Sequence, residues 1–114
     1  MKNRDTRDYL QDILDSIVDI ENFTHDLTYN QFVKDRKTVN AVVRSIEIIG
    51  EASKQLPNSV KAKYAELPWR EIAGMRDKLI HAYFGADTEI IWQAAKENIP
   101  PLKKSIKKML EDQK

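Results

Sequence analysis

Residues 36–56 read Arg-Lys-Thr-Val-Asn-Ala-Val-Val-Arg-Ser-Ile-Glu-Ile-Ile-Gly-Glu-Ala-Ser-Lys-Gln-Leu, with Pro57 next. Val39, Val42, Val43, Ile46, Ile49 and Leu56 fall at helical spacings and form one apolar stripe. Ala41, Ser45, Ile48 and Ala52 form a second stripe of mostly small residues, which would let another helix approach closely. At 1.5 Å per residue such a helix is ~30 Å long, the diameter of a small domain. A helix apolar on two sides is either central to a bundle or shared between two subunits. Between the stripes runs a polar line, Asn40, Arg44, Glu47 and Glu51, which faces either plain solvent or a functional groove.

Outward from this segment the chain keeps the same period. Tyr9, Leu10, Ile13, Leu14, Ile17, Val18 and Ile20 predict an amphipathic helix from about Asp5 to Asn22, with Asp5 as its cap. A short turn over Tyr29–Val33, capped by Thr28, precedes the long helix. Asn58 or Ser59 opens a short helix through about Glu66, and Pro68 suits the first turn of the next. Ile72, Met75, Leu79 and Ile80 give that helix its buried side, and Gly85 stops it. Asp87 or Thr88 caps a further helix carrying Ile90, Ile91, Ala94 and Ala95. Pro100-Pro101 breaks it and starts the last, where Leu102, Ile106, Met109 and Leu110 are apolar. No stretch alternates with period two. The expected architecture is all-α: one domain over residues 1–114, an antiparallel helical bundle with short loops.

Composition narrows the function classes. The chain has 114 residues, 41% hydrophobic and 32% charged, which suits one domain with a modest core and a heavily charged surface. With no cysteine, disulfides and thiolate metal sites are excluded. No run of ~18 apolar residues could span a membrane, and Met1 is followed by a polar segment rather than a signal pattern, so a cytoplasmic location is expected. The net charge of +1 hides an uneven distribution: Asp5, Asp8, Asp12, Asp15, Asp19 and Glu21 make the first helix acidic, and Lys103, Lys104, Lys107 and Lys108 make the last basic. That basic end either attracts RNA or an acidic partner or is a solvated face at a helix C-terminus.

Chemistry concentrates in residues 75–85, Met-Arg-Asp-Lys-Leu-Ile-His-Ala-Tyr-Phe-Gly. A guanidinium holds phosphate with a fork of donors, and an imidazole moves protons near neutral pH. Arg76, His81 and Tyr83 therefore suit the binding or cleavage of a phosphodiester. At ~100° per residue Arg76 and Tyr83 share a face to within about 20°, but His81 lies about 140° from Arg76. Convergence needs curled side chains, a loosened helix near His81, or a second subunit. On spacing alone, a functional Arg/His pair and a structural one both stay open. No metal-ligand spacing, glycine-rich phosphate loop or Gly-x-Ser-x-Gly elbow competes with it, so no cofactor or metal is expected. His25 falls in an inter-helix loop as a surface residue, and Tyr9, Tyr29 and Tyr64 read as packing residues. Trp92 either fills the core or covers a dimer face.

The segment Arg76-x4-His81-x-Tyr83 resembles the Arg-x4-His-x-Tyr motif of the HepT-like toxins, small helical ribonucleases of the HEPN superfamily. Pro68-Trp69-Arg70-Glu71-Ile72-Ala73-Gly74-Met75 before it, Phe84-Gly85 after it, Glu47-Ile48-Ile49-Gly50-Glu51-Ala52 and Tyr9-Leu10-x-x-Ile13-Leu14-x-x-Ile17 match as well. The resemblance implies a metal-independent endoribonuclease acting as a homodimer, the toxin of a type VII-like toxin–antitoxin pair. It implies that Arg76 and His81 are catalytic and that Tyr83 positions RNA. It further implies a nucleotidyltransferase antitoxin that transfers AMP to Tyr83. A non-catalytic helical module that docks such a transferase and binds nucleotide is the rival expectation.

Overall fold

The computed structural model describes residues 4–85 and 87–113. Seven α-helices follow one another among them: α1 (Thr6–Thr24), α2 (Tyr29–Lys34), α3 (Arg36–Gln55), α4 (Asn58–Lys63), α5 (Trp69–Phe84), α6 (Thr88–Gln93) and α7 (Leu102–Asp112). A π-helical turn, Ala94–Asn98, links the last two. No strand occurs among the described residues.

The helix starts are written in side chains. Asp5 accepts from the Asp8 amide at 3.0 Å while Asp8 accepts from the Asp5 amide at 3.1 Å, so two amides that α1 cannot satisfy itself are paired. Thr28 and Gln31 repeat the exchange at α2, at 3.2 and 2.9 Å. Asp35 opens α3 by accepting from both the amide and the hydroxyl of Thr38. These bonds to the ionised form hold the Asp35 carboxyl below its ordinary range.

α3 lies between α1 and α5, which accounts for its two apolar sides. Its 20 residues, ~30 Å long, cross a molecule measuring 42 × 33 × 26 Å. Leu10, Ile13, Ile17 and Ile20 from α1, Val42, Ile46 and Ile49 from α3 and Leu79 from α5 are buried in one core, with Phe32 of α2 fully enclosed beside them. α7 packs on α1, setting the basic helix against the acidic one, and Lys103 donates to Glu21 at 2.8 Å. Lys104, Lys107 and Lys108 stay exposed.

Several expectations need correcting. Neither Asp87 nor Thr88 caps α6: Asp87 stands at the cap position without accepting a bond, and the Thr88 hydroxyl instead pairs with the Tyr29 hydroxyl at 3.1 Å. α4 ends at Lys63, three residues earlier than Glu66. The stretch before Pro100 does not run as α-helix to its end but widens, the Ile99 amide reaching back five residues to the Ala94 carbonyl at 2.9 Å. The next two residues are prolines with no amide to continue the ladder. Tyr64 is more than packing: its phenol donates to Asp112, and that bond to a carboxylate raises its pKa above 10.0. Of the two readings of Trp92, packing into the core holds: its ring centroid is 4.9 Å from that of Phe32 and 6.1 Å from that of Tyr29. Met75 and Ile80 are half-buried, and Ala82 joins Ile72 and Leu79 on the covered side of α5.

Candidate active site

Gly50 sets where α3 and α5 meet. A Cβ built there would stand 3.2 Å from the Cβ of Arg76 and 3.5 Å from the Ala73 carbonyl oxygen. Real Cβ atoms seldom come as near a neighbour as the first of these, so the bare α-carbon is what lets α5 come this close at Arg76. Further along, Val43 and Asn40 of α3 share a hollow with Ile80, Tyr83 and Phe84 of α5. Residue numbers thus fall along α3 as they rise along α5, and the two helices are antiparallel.

From that crossing the Arg76 side chain, 38% exposed, reaches over the polar line of α3. Its Nε lies 3.4 Å from Glu51 Oε1 and 4.0 Å from Glu47 Oε2, and its Nη1 donates to Asp77 at 3.2 Å. Arg44 stands 3.9 Å from Glu47, and Lys54 stands 3.6 Å from Glu51. Arg44, Lys54 and Arg76 therefore balance Glu47, Glu51 and Asp77, and the cluster is neutral. Each of these partly exposed pairs adds at most about 1 kcal/mol to stability, so their effect is orientation. Two members of the α3 polar line, Glu47 and Glu51, thus flank the Arg76 guanidinium.

Tyr83 lies two turns further along the same face of α5. It is half-buried and lines a hollow of about 310 Å³ with Asn40, Val43, Glu47, Ile80 and Phe84. Glu47 belongs to both places, facing Arg76 and walling the Tyr83 hollow. Phe84 is 82% exposed, and its ring meets that of Tyr83 edge to face at 5.4 Å and 81°. Sequence reasoning passed over Phe84, because an aromatic one residue before a helix-stopping glycine looks like an ordinary packing residue.

His81 is not brought to this groove. α5 is α-helical without interruption to Phe84, and the Gly85 amide closes on the His81 carbonyl at 2.9 Å. The helix does not loosen there. The imidazole is exposed and does not line the Tyr83 hollow. Within one chain Arg76 and Tyr83 share a face of α5, with Glu47 facing both, and His81 lies well round the helix from it. His25, as expected, is exposed at the end of α1. A larger hollow of about 460 Å³ lies between α5 and the α6–α7 region, walled by Met75, Leu79, Ile90 and Leu102, and holds none of the three motif residues. Chemistry, not size, marks the site. No helix among the described residues is long and apolar enough to cross a membrane.

The family described as ribonuclease HepT-like matches residues 13–109 of this sequence, a span containing Arg76, His81 and Tyr83. The chain belongs to the HepT-like ribonuclease family. A Thermococcus cleftensis protein named as a probable ribonuclease HepT is 52% identical over 106 residues, covering 93% of this chain and 96% of its own length. A Methanocaldococcus jannaschii protein provisionally named as an RNase is 46% identical over 112 residues, covering 98% and 97%. A third, from Caldanaerobacter subterraneus subsp. tengcongensis and also provisionally named as an RNase, is 45% identical over 108 residues, covering 95% and 96%. No solved structure matches the chain significantly. The family is one of ribonucleases, so the expected enzyme class stands.

Proposed function

We propose that this HepT-like chain is the endoribonuclease toxin of a toxin–antitoxin pair, and that it cleaves RNA by internal transesterification. The observation that carries the reading is Arg76, held by carboxylates on the groove between α3 and α5, with Tyr83 on the same face. Arg76 binds the scissile phosphate. Its Nε and Nη1 are engaged by Glu51 and Asp77, which leaves the Nη2 donors to meet a phosphate oxygen. His81 takes the proton from the ribose 2′-hydroxyl, or delivers one to the 5′-oxygen. The 2′-oxygen attacks phosphorus, a pentavalent phosphorane forms, and the bond to the 5′-oxygen breaks. A 2′,3′-cyclic phosphate and a free 5′-hydroxyl result. Arg76 offsets the charge that builds on the phosphorane oxygens, and proton transfer is the part an imidazole performs near neutral pH. No step calls on a metal.

The uninterrupted α5 explains why the site is proposed as shared between two copies. With Arg76 and His81 on different faces of a straight helix, a homodimer brings His81 of one copy to Arg76 of the other across a cleft. Tyr83, beside Arg76, positions the RNA and accepts AMP from a nucleotidyltransferase antitoxin that uses ATP. An AMP group there adds bulk and a negative phosphate where the RNA backbone must lie, so entry is blocked sterically and by like charge.

The test is cleavage of single-stranded RNA by purified protein in EDTA. The wild type cuts, while Arg76→Ala and His81→Ala do not; equal cutting by all three refutes the assignment. Wild-type protein that binds a nucleotidyltransferase and nucleotide but leaves RNA intact supports the docking module instead. With the transferase and ATP, wild-type protein gains AMP mass and Tyr83→Phe does not; equal labelling of both moves the acceptor elsewhere.

A further inference from the structure

We propose that the hollow beside Tyr83 is a nucleobase subsite, in which a base of single-stranded RNA stacks on Phe84 and presents its edge to Glu47 and Asn40. This deepens the ribonuclease reading and rests on it. Phe84 is the observation that needs an explanation. At 82% exposure it stands far above Phe23 at 38% and Val33 at 40%, the other exposed large apolar side chains among the described residues. The edge-to-face contact with Tyr83 at 81° favours one attitude of the ring and leaves a face open to solvent. An open, oriented aromatic face at the rim of a hollow is what recognition of an unstacked base uses.

The hollow supplies the rest. Its walls are Val43 and Ile80, which suit the flat apolar surface of a base, and its polar groups are Asn40 and Glu47 of α3 with the phenol of Tyr83 from α5. Glu47 makes its ion pairs through Oε2 at 3.9 and 4.0 Å, too long for hydrogen bonds, so its acceptor capacity is largely unspent. Arg76 and Phe84 are eight residues apart on α5, ~12 Å along the axis. A phosphate at Arg76 thus puts a flanking base, rather than a distant one, at Phe84.

The polar groups choose among bases. A carboxylate only accepts hydrogen bonds, so it favours an edge of donors. Guanine alone presents two adjacent donors, N1–H and the N2 amino group, and its O6 can accept from the Asn40 amide. Uracil offers N3–H between two carbonyl oxygens, which a carboxylate repels. The subsite therefore takes guanine best and uracil worst.

Two measurements test this. In the first, wild-type protein cleaves matched single-stranded RNAs that contain guanine or only uracil. Preference for the guanine RNA is expected, and Phe84→Ala lowers kcat/KM by about tenfold or more, the loss of one stacked base. Phe84→Trp keeps the rate, and the pH profile stays that of the wild type. Glu47→Gln and Asn40→Ala are read by the guanine-to-uracil ratio, which falls, rather than by rate. In the second, an RNA made uncleavable by 2′-O-methyl groups carries 6-methylisoxanthopterin, a guanine analogue that keeps the N1–H, the 2-amino group and the neighbouring carbonyl and whose fluorescence drops on stacking. Wild type and Phe84→Trp quench it and Phe84→Ala does not. Absence of all cleavage by the wild type refutes the ribonuclease reading, while the quenching still judges the subsite. Cleavage by Phe84→Ala at the wild-type rate and with unchanged preference overturns the subsite alone. So does a Phe84→Ala protein whose defect is confined to its sedimentation, which would make Phe84 a contact between copies.

Discussion

Gly50 and Gly74 give the same substitution opposite outcomes. Both sit inside helices, α3 and α5, where alanine is favoured over glycine by about 0.8–1.0 kcal/mol. At Gly74 nothing stands within 4 Å of an added Cβ, so Gly74→Ala keeps the whole gain. For a chain of this length the unfolding entropy is about 240 cal/mol/K, so the melting temperature rises by about 4 °C. At Gly50 the added carbon meets Arg76 Cβ at 3.2 Å, and that atom moves only with the α5 backbone. Forcing a methyl into a packed contact costs about 1–3 kcal/mol. Set against the propensity gain, Gly50→Ala comes out destabilised by about 0–2 kcal/mol, and it melts about 4–12 °C below Gly74→Ala. Circular dichroism melts of both variants at one protein concentration measure the gap. Because the shift carries Arg76 with it, RNA cleavage by Gly50→Ala also falls severalfold although Gly50 touches no substrate. A Gly50→Ala protein that melts as high as Gly74→Ala would show that α3 and α5 do not meet at this glycine.

Mixing inactive Arg76→Ala with inactive His81→Ala subunits tests the shared site. If Arg76 of one copy works with His81 of the other, mixed dimers regain one intact site, and random exchange restores about a quarter of wild-type activity. No recovery, with exchange confirmed by mass, places both residues in one chain's site. Tyr64→Phe loses the bond to Asp112, so it melts below wild type at neutral pH. Because the phenol pKa is raised in the folded state, that contribution is present below about pH 10 and is lost as the pH rises further, so the two melting curves converge there; a constant gap contradicts the bond. Asp35 works in the opposite sense. Its lowered pKa gives stability above its ordinary value of 3.8 that vanishes as the pH falls through the folded one, and Asp35→Ala flattens that part of the acid limb.

Helix starts were readable because the atoms that make them are close in sequence. Asp5 with Asp8, and Thr28 with Gln31, need only three residues of chain to close their bonds. Thr88 failed as a cap because its hydroxyl is engaged by Tyr29, 59 positions away, and no local rule reports such a partner. The π turn escaped for a related reason: periodicity locates the apolar residues Ala94 and Ala95 but does not count which carbonyl an amide reaches. At the site, Arg76 and Tyr83 were placed on one face correctly because seven residues are nearly two turns. Whether Glu47 and Glu51 reach Arg76 depended on how closely α3 and α5 approach, and Gly50 decides that across the helix pair. Phe84 was illegible because exposure belongs to the assembled fold.

If Arg76 binds the scissile phosphate as proposed, the carboxylates around it turn that binding into an exchange of partners. A substrate would then not meet a bare cation but would displace or join Glu51 and Asp77, and affinity would be the difference between two anions competing for one guanidinium. Three positive and three negative groups in one cluster cast little field at a distance. Arriving RNA is therefore not pulled in from afar at this spot, and the contact there contributes less to salt sensitivity than an unpaired arginine. Recognition at Arg76 would then be decided at close range, by whether a phosphate fits the edge of the fork that Glu51 and Asp77 leave free.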